Sequence, residues 1–323
     1  MPKVELHVHM EGSIRPETVL ELSRRNSVPL PADTLEGLRE WYTFRDFPHF
    51  VEVYVAVSKC IRSPQDIEFI ARQFLEGQKE QNILHSEVTY TASTIQQFCG
   101  IPWDEQIDAL ERAIEFGKRE LGVSMLLIVD IVRGCLAEEG LAVAKMAVSG
   151  KDRGVGALGL AGQENKVPAN LYETAYDYAR AHDLPIIPHA GETQGPDSIW
   201  DAWKQTGCQR IGHGVRCLED PELVRQLVAN NVVLEVCPSS NVCLGVVPDL
   251  ASHPLPKLVE AGLTVTINSD DPPMFSTSLS EEYCRCSEAF GFDEAQLKSF
   301  AQTAARHSLL SPEAREQLLS QLS

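Results

Sequence analysis

The sequence predicts an α/β fold: a single (β/α)8 barrel of the TIM type, with a helical insertion after the first strand and extra C-terminal helices. Three observations carry this expectation. Apolar runs of strand length alternate, eight times, with stretches of helical period, the pattern of βα units around a parallel sheet. The chain has 323 residues, 43% of them hydrophobic, and no long linker, low-complexity tract or internal repeat interrupts it, so residues 1–323 read as one domain. Polar residues also gather where the later runs end, which is where such barrels keep their function.

The first strand is expected over residues 4–9. Pro16 then opens a helix whose Val19, Leu20 and Leu22 follow apolar helical spacing. Residues 31–61 carry Trp41, Tyr42, Phe44, Phe47, Phe50 and Tyr54 without strand alternation and read as short helices, a lid over a pocket. A helix over 64–81 leads to the second strand, 83–90. Helices near 103–121 and 136–149 flank the third strand, 124–131, and lead to the fourth, 155–160. A helix near 169–182 precedes the fifth strand, 185–189. The sixth, seventh and eighth strands, 210–214, 232–237 and 263–268, are separated by helices near 199–206, 221–230 and 254–261. Three further helical stretches close the chain.

Composition narrows the function. A formal net charge of −18 sets up a field that repels phosphate backbones, so nucleic acid is not an expected partner. There is no basic-then-apolar leader and no run of about 18 apolar residues, so neither export nor a membrane partner is expected. The 9 cysteines are odd in number, lack C-x-x-C spacing and suit a reducing cytoplasm, where buried thiols act as small apolar residues. No Gly-rich phosphate loop is present, which disfavours nucleotides, although Arg15 offers one cation.

The chemistry starts at His7-Val8-His9, whose i, i+2 spacing projects both imidazoles from one strand face. The fifth strand ends in His189-Ala190-Gly191-Glu192, the sixth contains His213-Gly214, and the eighth ends in Asn268-Ser269-Asp270-Asp271-Pro272. On a barrel these groups share one rim. His7, His9 and His189 with one carboxylate form a nitrogen and oxygen set that suits a single zinc ion, although iron, cobalt or nickel accept it too. Such a site acidifies water for hydrolysis, leaving His213 to orient or deprotonate that water and Glu192 to act as the acid.

His7-Val8-His9-Met10-Glu11-Gly12-Ser13, Leu160-Ala161-Gly162, His189-Ala190-Gly191-Glu192, His213-Gly214 and Asn268-Ser269-Asp270-Asp271-Pro272, in this order, resemble the adenosine deaminase family over nearly the whole chain. The resemblance implies zinc on His7, His9, His189 and Asp270, protonation of purine N1 by Glu192, and assistance to water attack on C6 by His213. It further implies a hydrogen bond from Asp271 to N7 and from the Gly162 amide to N3, with His9 also a substrate-binding residue and Glu11 at the position associated with the ribose. The cysteine-ligated cytidine deaminase signature is absent.

Two departures bear on the substrate. Glu11 stands where adenosine enzymes carry aspartate, as in adenine deaminases, and Gly159-Leu160-Ala161-Gly162-Gln163-Glu164 replaces Asp-Leu-Ala-Gly-Asp-Glu. Thr43-Phe44-Arg45-Asp46-Phe47 and the run through Pro273-Met274-Phe275 look similar to 6-aminodeoxyfutalosine deaminases, whose substrate carries a benzoate on the sugar end, and Arg45, flanked by Phe44 and Phe47, is a candidate partner for such a carboxylate. The expected function is therefore zinc-dependent deamination of an adenine nucleoside, adenosine, deoxyadenosine or aminodeoxyfutalosine, in the cytoplasm. Adenine deamination is the alternative within the class, and an inactive metal-binding barrel the alternative outside it.

Overall fold

A computed structural model describes residues 1–323. Eight parallel strands lie in sequential order: β1 Lys3–His9, β2 Ile83–Tyr90, β3 Ser124–Val132, β4 Val155–Ala161, β5 Ile186–Ala190, β6 Arg210–His213, β7 Val233–Val236 and β8 Thr264–Ile267. Helices alternate with the strands and surround them, giving the (β/α)8 barrel that the sequence predicts. β1, β5, β6 and β7 are buried throughout, as strands covered by helices must be.

The seam between β8 and β1 is closed differently from the other seven. β8 stops at Ile267, and the Asn268 side-chain oxygen then accepts the Leu6 N–H at 3.0 Å in place of a backbone carbonyl. Asp270 completes the join: its carbonyl accepts from His9 N at 2.8 Å, and its own N–H donates to the His7 carbonyl at 3.1 Å. Its φ of +64° is in the left-handed region, which L residues other than glycine enter mainly where the surroundings enforce it.

β1 is not the regular strand that the alternation argument assumed. Its register against β2 shifts between Glu5 and Val8, an irregularity that contains His7. Such bulges re-aim a side chain next to a site, and here both imidazoles still reach one point.

The insertion forms helices Leu35–Trp41 and Phe47–Ser58. Asp46 caps the second by accepting the His49 N–H, and Pro48 lies in its first turn, where the missing N–H costs nothing. Phe50 stacks on Phe275 with centroids 5.3 Å apart, and Phe44 meets the same ring edge-on at 6.0 Å, which fastens the insertion to the loop after β8. Two short helices that the sequence reading missed, Ala92–Cys99 and Pro238–Cys243, follow β2 and β7. All 9 cysteines are free, and no helix is long and apolar enough to cross a membrane.

Candidate active site

At the carboxyl ends of the strands, His7, His9, His189 and Asp270 place one potential ligand atom each within 4.8 Å of one another, all four residues buried. Asp270 Oδ1 lies 3.5 Å from His7 Nε2 and 3.3 Å from His9 Nε2, and His9 Nε2 lies 3.1 Å from His189 Nε2. Hydrogen bonds behind the rings fix which nitrogens face inward. His189 Nδ1 is 3.0 Å from the Leu160 carbonyl, which can only accept, so this nitrogen carries the proton and Nε2 presents a lone pair. His7 Nδ1 likewise donates to Glu235 at 2.9 Å, leaving His7 Nε2 buried without a hydrogen-bond partner. The lone pairs of His7 and His189 thus converge with His9 Nε2 and the Asp270 carboxylate on one point, an arrangement that a bound divalent cation would complete.

The electrostatics make the same demand. Burial pulls His7 down, yet the Asp270 and Glu235 carboxylates beside it outweigh this and raise it to about 9, so the pocket favours a positive charge there. His189 is held well below the ordinary histidine range by burial and by His7 and His9. Three imidazoles cannot all be cations here; one shared metal ion would serve instead.

Behind the cluster lies a chain of charges. Glu235 also accepts from Arg210 Nε at 2.6 Å, Arg210 Nη1 reaches Glu87 at 2.5 Å and the His307 carbonyl at 3.1 Å, and Glu87 accepts the Leu309 N–H. Arg210, Glu87 and Glu235 are buried, and Ser240 Oγ donates to Asp270 Oδ2 at 2.7 Å. None of these supports was expected from the sequence. Glu235 sits mid-strand in Val233–Val236, where a carboxylate flanked by apolar neighbours was the available signal.

Three further groups adjoin the cluster. His213 Nε2 is 3.7 Å from Glu192 Oε1 and 3.9 Å from Asp270 Oδ2; burial lowers it to about 4, so it is a neutral base at pH 7. Burial, with Asp270 and Glu164 nearby, raises Glu192 well above the carboxylate range and so favours its protonated form. Asp271 is raised by burial and by Asp270, and its Oδ1 has no partner. Gly162 follows β4 at φ +89°, a turn that brings its backbone to the cavity wall.

Glu164 holds the loop that carries Glu192, accepting the N–H groups of Gly191 (2.7 Å), Glu192 (3.0 Å), Thr193 (2.8 Å) and Gln194 (3.2 Å). Burial works against its ionisation, but the Ser198 hydroxyl, Arg133 and these amides keep it ionised.

The cavity over the cluster has a volume of about 130 Å³. His9, His189, His213, Glu192, Asp270 and Asp271 line its polar side, while Phe47, Phe50, Val51, Tyr54 and Val55 of the insertion form an apolar wall. No lysine or arginine lines it. Two expected substrate contacts lie elsewhere. Glu11 is fully buried, with its oxygens taken by Tyr54 OH and the Thr91 N–H, each at 3.0 Å, so it supports the wall from behind. Arg45 is exposed just before the helix Phe47–Ser58, outside the lining, with its N–H on His49 Nδ1 at 3.3 Å.

The family model described as adenosine deaminase matches residues 2–323. An aminodeoxyfutalosine deaminase of Streptomyces avermitilis is 35% identical over 325 residues, covering 100% of this chain and 90% of that protein. The crystal structure of an adenine deaminase from Arthrobacter aurescens superposes with a TM-score of 0.95 at 31% identity, over 99% of this chain and 98% of that one. An amidohydrolase from Burkholderia ambifaria, solved with bound Zn, gives a TM-score of 0.90 at 25% identity, over 100% of this chain and 92% of that one. The chain belongs to the adenosine deaminase family and is a hydrolytic deaminase that acts on a C–N bond of adenine-type substrates.

Proposed function

We propose that the protein is a zinc-dependent deaminase of an adenine nucleoside, releasing the C6 amino group as ammonia and leaving the 6-oxopurine nucleoside. The observation that supports this reading is the two-sided cavity: Glu192, His213 and Asp271 on its polar side, and opposite them an apolar aromatic wall from the insertion against which a substituent of the purine could pack. Aminodeoxyfutalosine, whose sugar carries a benzoate, would set that ring against this wall. Its carboxylate would meet Arg45 near the mouth, beside Phe47.

His7, His9, His189 and Asp270 would hold the zinc. Bound there, the ion supplies a water whose pKa is lowered from about 15.7 to about 7. His213, neutral and within reach, takes a proton from the attacking water. Glu192 gives its proton to ring N1, so charge does not build up on the purine as C6 becomes tetrahedral. The protonated Asp271 donates to N7, and the Gly162 amide to N3, which fixes the ring with C6 toward the cluster. The proton held by His213 passes to the amino nitrogen, which leaves as ammonia, while the C6 hydroxyl gives its proton back to Glu192 and N1 keeps the hydrogen it received; the net change is one water consumed and one C–N bond exchanged for C–O.

The decisive experiment compares kcat/KM on adenine, adenosine, deoxyadenosine and aminodeoxyfutalosine with metal-replete protein, following purine absorbance. The nucleosides are expected to exceed adenine, with aminodeoxyfutalosine highest and Arg45→Ala reducing that substrate alone. Turnover of adenine alone would refute the nucleoside reading. One observation favours that second reading: Glu11, expected near the sugar, already has both oxygens engaged.

A further inference from the structure

We propose that Asp130, at the carboxyl end of β3, is a specificity residue that accepts a hydrogen bond from a ribose hydroxyl of the substrate. The proposal rests on the nucleoside reading and deepens it. Asp130 is 1% exposed and lines the active-site cavity, yet its Oδ1 has no hydrogen-bond partner. Buried carboxylate oxygens without a donor are rare because each forfeits its hydration without replacement, so an unmatched one on a cavity wall marks a place where a ligand supplies the proton.

The pose places the sugar there. With C6 toward the histidine cluster, N1 at Glu192 and N7 at Asp271, strands β5 to β8 and β1 are occupied, and the N9 side faces what is left. That remainder is the rim of β2 to β4 with the insertion, and its lining includes Thr91, Asp130, Val132 and Gly162. Asp130 is the carboxylate in this arc. The fold also keeps it in place. β3 pairs with β4 so that Asp130 stands opposite Gly159, where a Cβ would come within 2.9 Å of the Asp130 Cβ. A larger residue on β4 would displace the carboxylate, so the absence of a side chain at Gly159 reserves the space for it.

A supporting role is the rival explanation, since Asp130 raises the pKa of His9 and could act on the metal alone. The two are separated by asking which hydroxyl the enzyme feels. Wild type, Asp130→Ala and Asp130→Asn are compared on adenosine and its 2′-deoxy, 3′-deoxy and 5′-deoxy analogues, as substrates or, where turnover is below detection, as competitive inhibitors. Zinc content and melting temperature are measured in parallel, and if the alanine variant does not fold, the isosteric asparagine carries the comparison. In wild type, removal of one particular hydroxyl is expected to weaken kcat/KM or inhibition about 10- to 100-fold. In Asp130→Ala that penalty falls to within about 2-fold, and Asp130→Asn, which keeps one acceptor, retains part of it. Penalties that are the same in wild type and variants, or that are absent from wild type, overturn the assignment while leaving the nucleoside reading intact. A wild type that neither deaminates nor binds any nucleoside overturns both.

Discussion

Glu235→Gln isolates what lies behind the metal cluster. Two donors converge on this buried carboxylate, His7 Nδ1–H at 2.9 Å and Arg210 Nε–H at 2.6 Å. A carboxylate accepts both. An amide has one acceptor oxygen, so in the variant its NH2 faces one of the two N–H groups. If the imidazole loses its acceptor, His7 is no longer held with the Nε2 lone pair toward the cluster, and loss of such a contact weakens metal binding about 10- to 100-fold, or ~1.4 to 2.8 kcal/mol. If Arg210 loses it, the guanidinium keeps Glu87 but carries excess positive charge in the core, which costs about 3 kcal/mol or more of stability. Titration against a chromophoric chelator measures the first effect and urea unfolding of the metal-free protein the second. Zinc affinity within about 3-fold of wild type, together with unchanged unfolding, would refute the account of Glu235 as the group that orients His7.

Three other outcomes are expected. Glu192→Gln keeps the shape and hydrogen-bonding capacity of the acid but has no proton to give, so kcat should fall by about 10²- to 10⁴-fold with zinc content and melting temperature unchanged. Gly12→Ala should fold and lose at least about 100-fold in kcat/KM, because its Cβ would come within 2.8 Å of Asp271 Cβ and closer still to the carboxyl group, which must then leave the cavity; an active variant would show that Asp271 is not needed where it stands. His253 accepts from the Leu255 N–H at 3.1 Å through Nδ1 and donates to Asn241 from Nε2 at 3.1 Å, and burial lowers it from 6.5 to about 4. Since the folded pKa lies below the unfolded one, its contribution to stability is complete above pH 6.5 and declines as pH falls toward 4, by up to ~1.4 kcal/mol per pH unit. Urea unfolding at pH 7 and pH 5 should show that His253→Gln has the shallower pH dependence.

The barrel was legible because its signals are local. Eight buried strands read as apolar runs, and the polar residues at their ends stand in short recognisable segments, among them His7, His9, His189, His213 and Asp270, which lie together in the structure. What escaped notice depends on the third dimension. Arg210 and Glu87 are ordinary charges in the sequence, and only the closure of the sheet brings them into one buried chain with Glu235. Asp130 lies inside an apolar run, where pattern reading counts it as an interruption. Glu11 was placed by its neighbours at the start of the chain, whereas its surroundings are set by Tyr54, which lies 43 residues away. The irregularity in β1 likewise arises from pairing with β2, which residues 3–9 cannot reveal.

Asp270 joins two properties in one residue. Its backbone stitches the last strand to the first, and its carboxylate faces the histidines. Closing the cylinder and bringing this carboxylate to the histidines therefore depend on the same residue. Occupancy by metal should in turn slow amide hydrogen exchange at His9 and Asp270, along the one join that lacks a regular ladder.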